Sequence, residues 1–197
     1  MINKIFLLLT LLLILLLSSC SDIDRITKKN VFKAIKEKNY NYISETDFYD
    51  AKDRYKRTPL MLAIINEDIK MVKLLLKKGA KIENRDVFGE TPLLKATASG
   101  NLDIVKVLVE NKANVNEVSN FYWTPLMKAV YSENADLVKY LVENKANVHF
   151  SRPEERENAL LLAAGGNRFS WIKTGNKYVS MILAGSRYQY ELEKNIK

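Results

Sequence analysis

One triplet recurs at a fixed interval, and that interval constrains the fold more than any other feature of the chain. Thr58-Pro59-Leu60, Thr91-Pro92-Leu93 and Thr124-Pro125-Leu126 are evenly spaced in the chain, one full period apart. Five positions behind each threonine comes an alanine: Ala63, Ala96 and Ala129. An aliphatic run follows in each copy, from Met71 to Leu76, Ile104 to Val109 and Leu137 to Val142. Ala80, Ala113 and Ala146 close the runs, with Ile82, Val115 and Val148 two positions later. Self-similarity at such a period marks a stack of small units, each unable to bury its apolar face alone.

The residue types fit two helices per unit. Proline is tolerated in a first helical turn, where its missing N–H has no partner to lose, and the threonine before it can cap. The small alanines let first helices approach one another closely. In the second helix, apolar residues at 71, 72, 74, 75 and 76 form a wide stripe, with Lys70, Lys73 and Lys77 facing water.

This pattern resembles the ankyrin repeat, whose period is 33 and whose signature opens with Thr-Pro-Leu. The resemblance implies an all-α repeat solenoid: helix-turn-helix pairs linked by β-hairpin fingers. Three features depart from the family. Met61, Leu94 and Met127 replace the histidine that usually follows Thr-Pro-Leu, so packing must substitute for its hydrogen bonds. The hairpin glycine survives only as Gly89, with Lys56 and Tyr122 elsewhere; a positive φ there costs on the order of 1 kcal/mol. Gly79, after the second helix, becomes Lys112 and Lys145, and the preceding Asn111 and Asn144 are the residues expected to take the left-handed cap.

The repeats set the boundaries: 58–90, 91–123 and 124–157, after a shortened capping repeat at 30–57. A degenerate fourth copy begins at Asn158-Ala159-Leu160 and runs over 158–186, with a long loop from Gly165 to Lys177 between its helices. Residues 187–197 form a polar end, which terminal repeats need for solubility.

The first residues read as an address. Ile5 to Leu17 is an almost unbroken apolar run after one cation, Lys4. As a helix it spans about 20 Å, short of the roughly 30 Å hydrocarbon core, so it suits a signal peptide better than an uncleaved anchor. Leu17-Ser18-Ser19-Cys20 resembles the lipobox of bacterial lipoproteins. That resemblance implies cleavage after residue 19, lipidation of Cys20 and a lipidated tether over 20–29. Two or more acyl chains anchor stably where one does not. Ser21, which is not acidic, points to the outer membrane, the protein being exported and lipid-anchored.

Cys20 is the only cysteine and His149 the only histidine, so a disulfide or a zinc site has no material. No cofactor, metal or small-molecule substrate is expected. No catalytic set emerges, and Gly165-Gly166-Asn167 lacks phosphate-loop spacing. The net charge of +8 looks spread along the chain, which argues against nucleic acid as partner. The expected function is a non-catalytic scaffold or adaptor with an unidentified protein partner. One alternative is a membrane-surface structural protein docked through Arg25, Lys28, Lys29, Lys33, Lys36 and Lys38; another is an enzyme with its site in 165–197, which the few residues there disfavour as an active-site core.

Ankyrin arrays bind with hairpin tips and the exposed side of the first helices. Carried over position by position, the tips are Arg54, Tyr55, Val87, Phe88, Glu90, Asn120, Phe121 and Trp123. The first-helix positions are Asn66, Ser99, Tyr131 and Ser132. Aromatic and Arg residues are over-represented at hot spots. Two readings of the ring row Tyr55, Phe88 and Phe121 stay open: the rings recognise a partner, or they pack on one another.

Overall fold

The computed structural model describes residues 27–47, 49–153, 158, 159 and 162. The signal segment with Cys20, the Gly165–Lys177 loop, the polar end and nearly all of the fourth copy lie outside the described residues. Within the described residues the helices follow in order: α1 (27–36), α2 (Tyr40–Glu45), α3 (Pro59–Ile65), α4 (Ile69–Lys77), α5 (Pro92–Ser99), α6 (Leu102–Glu110), α7 (Pro125–Tyr131) and α8 (Ala135–Glu143). They stack as pairs, first helices in one row and second helices in another.

Each copy is built by the same local chemistry. Thr58, Thr91 and Thr124 are N-caps whose hydroxyls accept from the amides of Met61, Leu94 and Met127, with proline in the first turn. Asp68, Asn101 and Asn134 cap the second helices, accepting from Met71, Ile104 and Leu137 at 3.0, 3.1 and 3.1 Å. Asn39 caps α2 in the same way. Such caps satisfy amides that have no partner inside the helix, at about 1 kcal/mol each.

The core is a repeating column. Ala63, Ala96 and Ala129 are fully buried, which lets α5 lie against both α3 and α7. Leu75, Leu108 and Leu141 form the matching column in the second helices. Met61, Leu94 and Met127 are each fully buried, so packing does replace the missing histidine. Val31, Ala34, Ile35 and Ile43 extend the same core into α1 and α2.

Two expectations need correction. The fingers are not β-hairpins with strands: no strand forms among the described residues, and each finger is a tight turn closed by two backbone bonds, one of them from the amide of Lys56, Gly89 or Tyr122 back to the carbonyl of Asp53, Asp86 or Ser119. Asp53 N–H donates to Arg57 O, Asp86 N–H to Glu90 O and Ser119 N–H to Trp123 O. The side chains of Asp53, Asp86 and Ser119 each accept two further amides of their own turn, which holds the chain in a turn and not in an extended strand. The left-handed cap also falls on the lysines. Lys112 has φ 71° and Lys145 φ 67°, whereas Asn111 and Asn144 remain at negative φ. The reversal must come where the Lys112 and Ala113 amides can turn back onto Val109 O and Leu108 O, a Schellman arrangement. Position decides this, not residue preference. The asparagines instead donate Nδ2 to Val107 O and Tyr140 O, each at 2.8 Å.

Between copies, a side chain of one accepts from a backbone amide of the next. Asp50 takes Lys81 N–H, Glu83 takes Asn114 N–H and Asn116 takes Asn147 N–H, at 2.9, 2.8 and 2.6 Å.

Candidate interaction surface

The fingers form a row because each is bonded to the next. Val87 N–H donates to Tyr55 O and Asn120 N–H to Phe88 O, both at 3.0 Å, and Asn120 Nδ2 reaches Val87 O at 3.3 Å. Gly89 permits this approach. It has φ 71°, and a Cβ there would stand 2.8 Å from Asn120 N.

The row brings most of the sequence-derived positions onto one exposed edge. Phe88 and Phe121 are 50 % and 58 % exposed, with ring centroids 6.4 Å apart and planes tilted by 36°. They touch, yet half of each ring stays in water. Tyr55 stands apart from that pair, flanked by the Arg54 and Arg57 guanidiniums at 4.6 and 4.9 Å from its centroid. Val87 and Asn120 are exposed beside the rings. Asn66, Ser99 and Ser132 are exposed at the ends of α3, α5 and α7; Ser99 and Ser132 donate to Ala96 O and Ala129 O.

Trp123 and Glu90 sit differently. Trp123 is half-buried, in edge contact with the 54 %-exposed Tyr131 at 5.4 Å, with Arg152 at 5.2 Å and Lys128 at 5.9 Å from its ring. Glu90 bridges two repeats: Oε2 meets Lys95 Nζ at 2.9 Å and Oε1 meets Lys128 Nζ at 2.7 Å. Lys95 also pairs with the buried Asp86 at 2.6 Å. Burial alone would push the Glu90 carboxyl up and the Lys95 ammonium down. Hydrogen bonds outweigh burial in both, from Lys128 and Lys95 for Glu90, and to Asp86 and Glu90 for Lys95. Glu90 is held below and Lys95 above its ordinary range, so both stay charged at neutral pH.

Sequence reasoning missed several members of this edge. Tyr122 and Ile65 are exposed large hydrophobics, Lys128 and Arg152 shape the site around Trp123, and Lys95 ties Glu90 to Asp86. Ile65 precedes Tyr131 by two full periods, so register alone pointed to it. Among the described residues no helix is long and apolar enough to cross a membrane, and no cluster of His, Cys, Asp or Glu forms a metal site.

Stacked helix pairs with bonded finger turns define a helical repeat solenoid. The family model for ankyrin repeats matches residues 28–119 and again 113–174, and the chain belongs to that family. It is therefore a protein–protein interaction module. No curated protein matches the chain.

Proposed function

We propose that the protein is a bacterial lipoprotein, exported and held by lipid on Cys20 in the outer membrane, whose ankyrin array serves as a scaffold or adaptor. Its partner contacts are Arg54, Tyr55, Val87, Phe88, Glu90, Asn120, Phe121 and Trp123 on the fingers, with Asn66, Ser99, Tyr131 and Ser132 on the first helices. The observation that carries the reading is the half-exposed Phe88–Phe121 pair on fingers bonded to each other. An exposed apolar row on a rigid edge loses little conformational entropy on binding and gains area removed from water. Glu90 is already held by two lysines, so it offers a partner a fixed dipole more than a free charge.

Two experiments test the two halves. Cys20→Ser is expected to abolish lipid attachment and leave unprocessed precursor or soluble protein. Unchanged membrane retention at the same mature mass would favour a signal anchor instead. A photo-crosslinking residue at Phe121 is expected to give a defined adduct with one protein in native membranes. The same group at Lys139, on the outer face of α8, should give none, and adducts from Lys139 alone would move the binding face.

A further inference from the structure

The charge of this chain is polarised along the stack, contrary to the even spread that its sequence suggests. Residues 27–81 carry 14 Lys and Arg against 7 Asp and Glu, a net of +7. Residues 82–153 carry 8 against 9, a net of −1. Base composition alone does not account for this, because equivalent positions change sign. Lys70 corresponds to Asp103 and Asp136, and Lys77 to Glu110 and Glu143, on the same outer face of successive second helices.

The basic end is capped by α1. At about 100° per residue, Lys29, Lys33 and Lys36 share the face opposite Val31, Ala34 and Ile35, which are buried, and exposed Lys28 lies at the edge of that face. All four lysines are exposed, and half-buried Phe32 lies in their midst. No acidic residue occurs in 27–36; Glu37, the nearest in sequence, stands 3.8 Å from Lys33 in a solvent-exposed pair of little strength.

We propose that this face of α1 lies on the headgroups of an anionic phospholipid bilayer, with the α4 lysines adding to its field. The idea rests on the tether reading above for its geometry. The seven steps from Cys20 to Thr27 span at most about 25 Å, so an anchored Cys20 keeps α1 within reach of the headgroups. Cations near such a surface each raise affinity roughly fivefold, and Phe32 supplies an interfacial aromatic. Docked this way, the array stands on its basic end, with Tyr55 near the membrane and Phe121 farthest from it.

The test is lysine acylation read by mass spectrometry on the full chain, with phosphatidylcholine vesicles and with vesicles also containing phosphatidylglycerol. Flotation of the vesicles reports anchoring independently. Labelling of Lys28, Lys29, Lys33 and Lys36 is expected to slow at least fivefold relative to Lys112 and Lys139, on the anionic vesicles only. Labelling should recover in about 1 M salt, where the screening length falls to about 3 Å. Protection on anionic vesicles without flotation on neutral ones would uphold docking and remove the tether. Equal labelling on both vesicles, floating or not, would overturn docking. Stronger protection by an added DNA duplex than by anionic vesicles would also overturn it and assign the face to nucleic acid.

Discussion

Replacing Leu108 with alanine is expected to cost about 2–5 kcal/mol and to lower the melting temperature of the entire array. Leu108 is fully buried in α6, in the column that Leu75 and Leu141 continue on either side. Removing its branched end opens a cavity that α4, α5 and α8 cannot easily fill, since each is held by its own caps and packing. Short repeat arrays unfold as one unit, because each interface supports the next. Chemical denaturation followed by circular dichroism should therefore show one earlier transition. A loss under about 0.5 kcal/mol would mean that the second helices turn another face inward.

Replacing Lys56, Glu67, Lys112 and Lys145 together by glycine is expected to stabilise the protein by about 2–4 kcal/mol. All four hold positive φ, between 54° and 71°. The same three turn positions recur in every copy, and in each set one copy already has glycine: Gly89, Gly100 or Gly79. A Cβ in the left-handed region crowds the following carbonyl, and none of these four is buried. Glycine relieves that strain, at some cost in unfolded-state entropy. The melting temperature should rise by roughly 5–15 °C. Gly89→Ala should go the opposite way, since its Cβ would be forced against Asn120 N. A multiple variant less stable than the parent would show that these side chains make contacts worth more than the strain.

Much of this architecture was legible in the chain. Thr-Pro-Leu named the cap, the first turn and the first buried leucine of each unit, because all three are set by local backbone chemistry. The alanines at 63, 96 and 129 named the close contact between first helices. The left-handed residue was placed one position early, because asparagine's preference is weaker than the geometry of helix reversal. The fingers were expected as strands, yet their own Asp and Ser side chains satisfy the turn amides. The ion network of Asp86, Lys95, Glu90 and Lys128 was invisible, since a linear pattern does not show which side chains two successive repeats turn towards each other. Of the proposed contact residues, sequence register gave the finger positions. It could not give the half-burial of Trp123 between Tyr131 and Arg152.

The central claim is that the finger rings recognise a partner, and one paired measurement on Phe88→Ser/Phe121→Ser tests it most directly. Partner capture and thermal melting must be read on the same preparation, because a binding assay alone confuses a lost contact with a lost fold. Recognition predicts that capture falls at least tenfold, about 1.4 kcal/mol, while melting shifts only slightly, since half of each ring is already in water. Melting lowered by several degrees, with capture tracking the folded fraction, would make the rings structural. Undiminished capture by a fully folded double variant would contradict the proposed face.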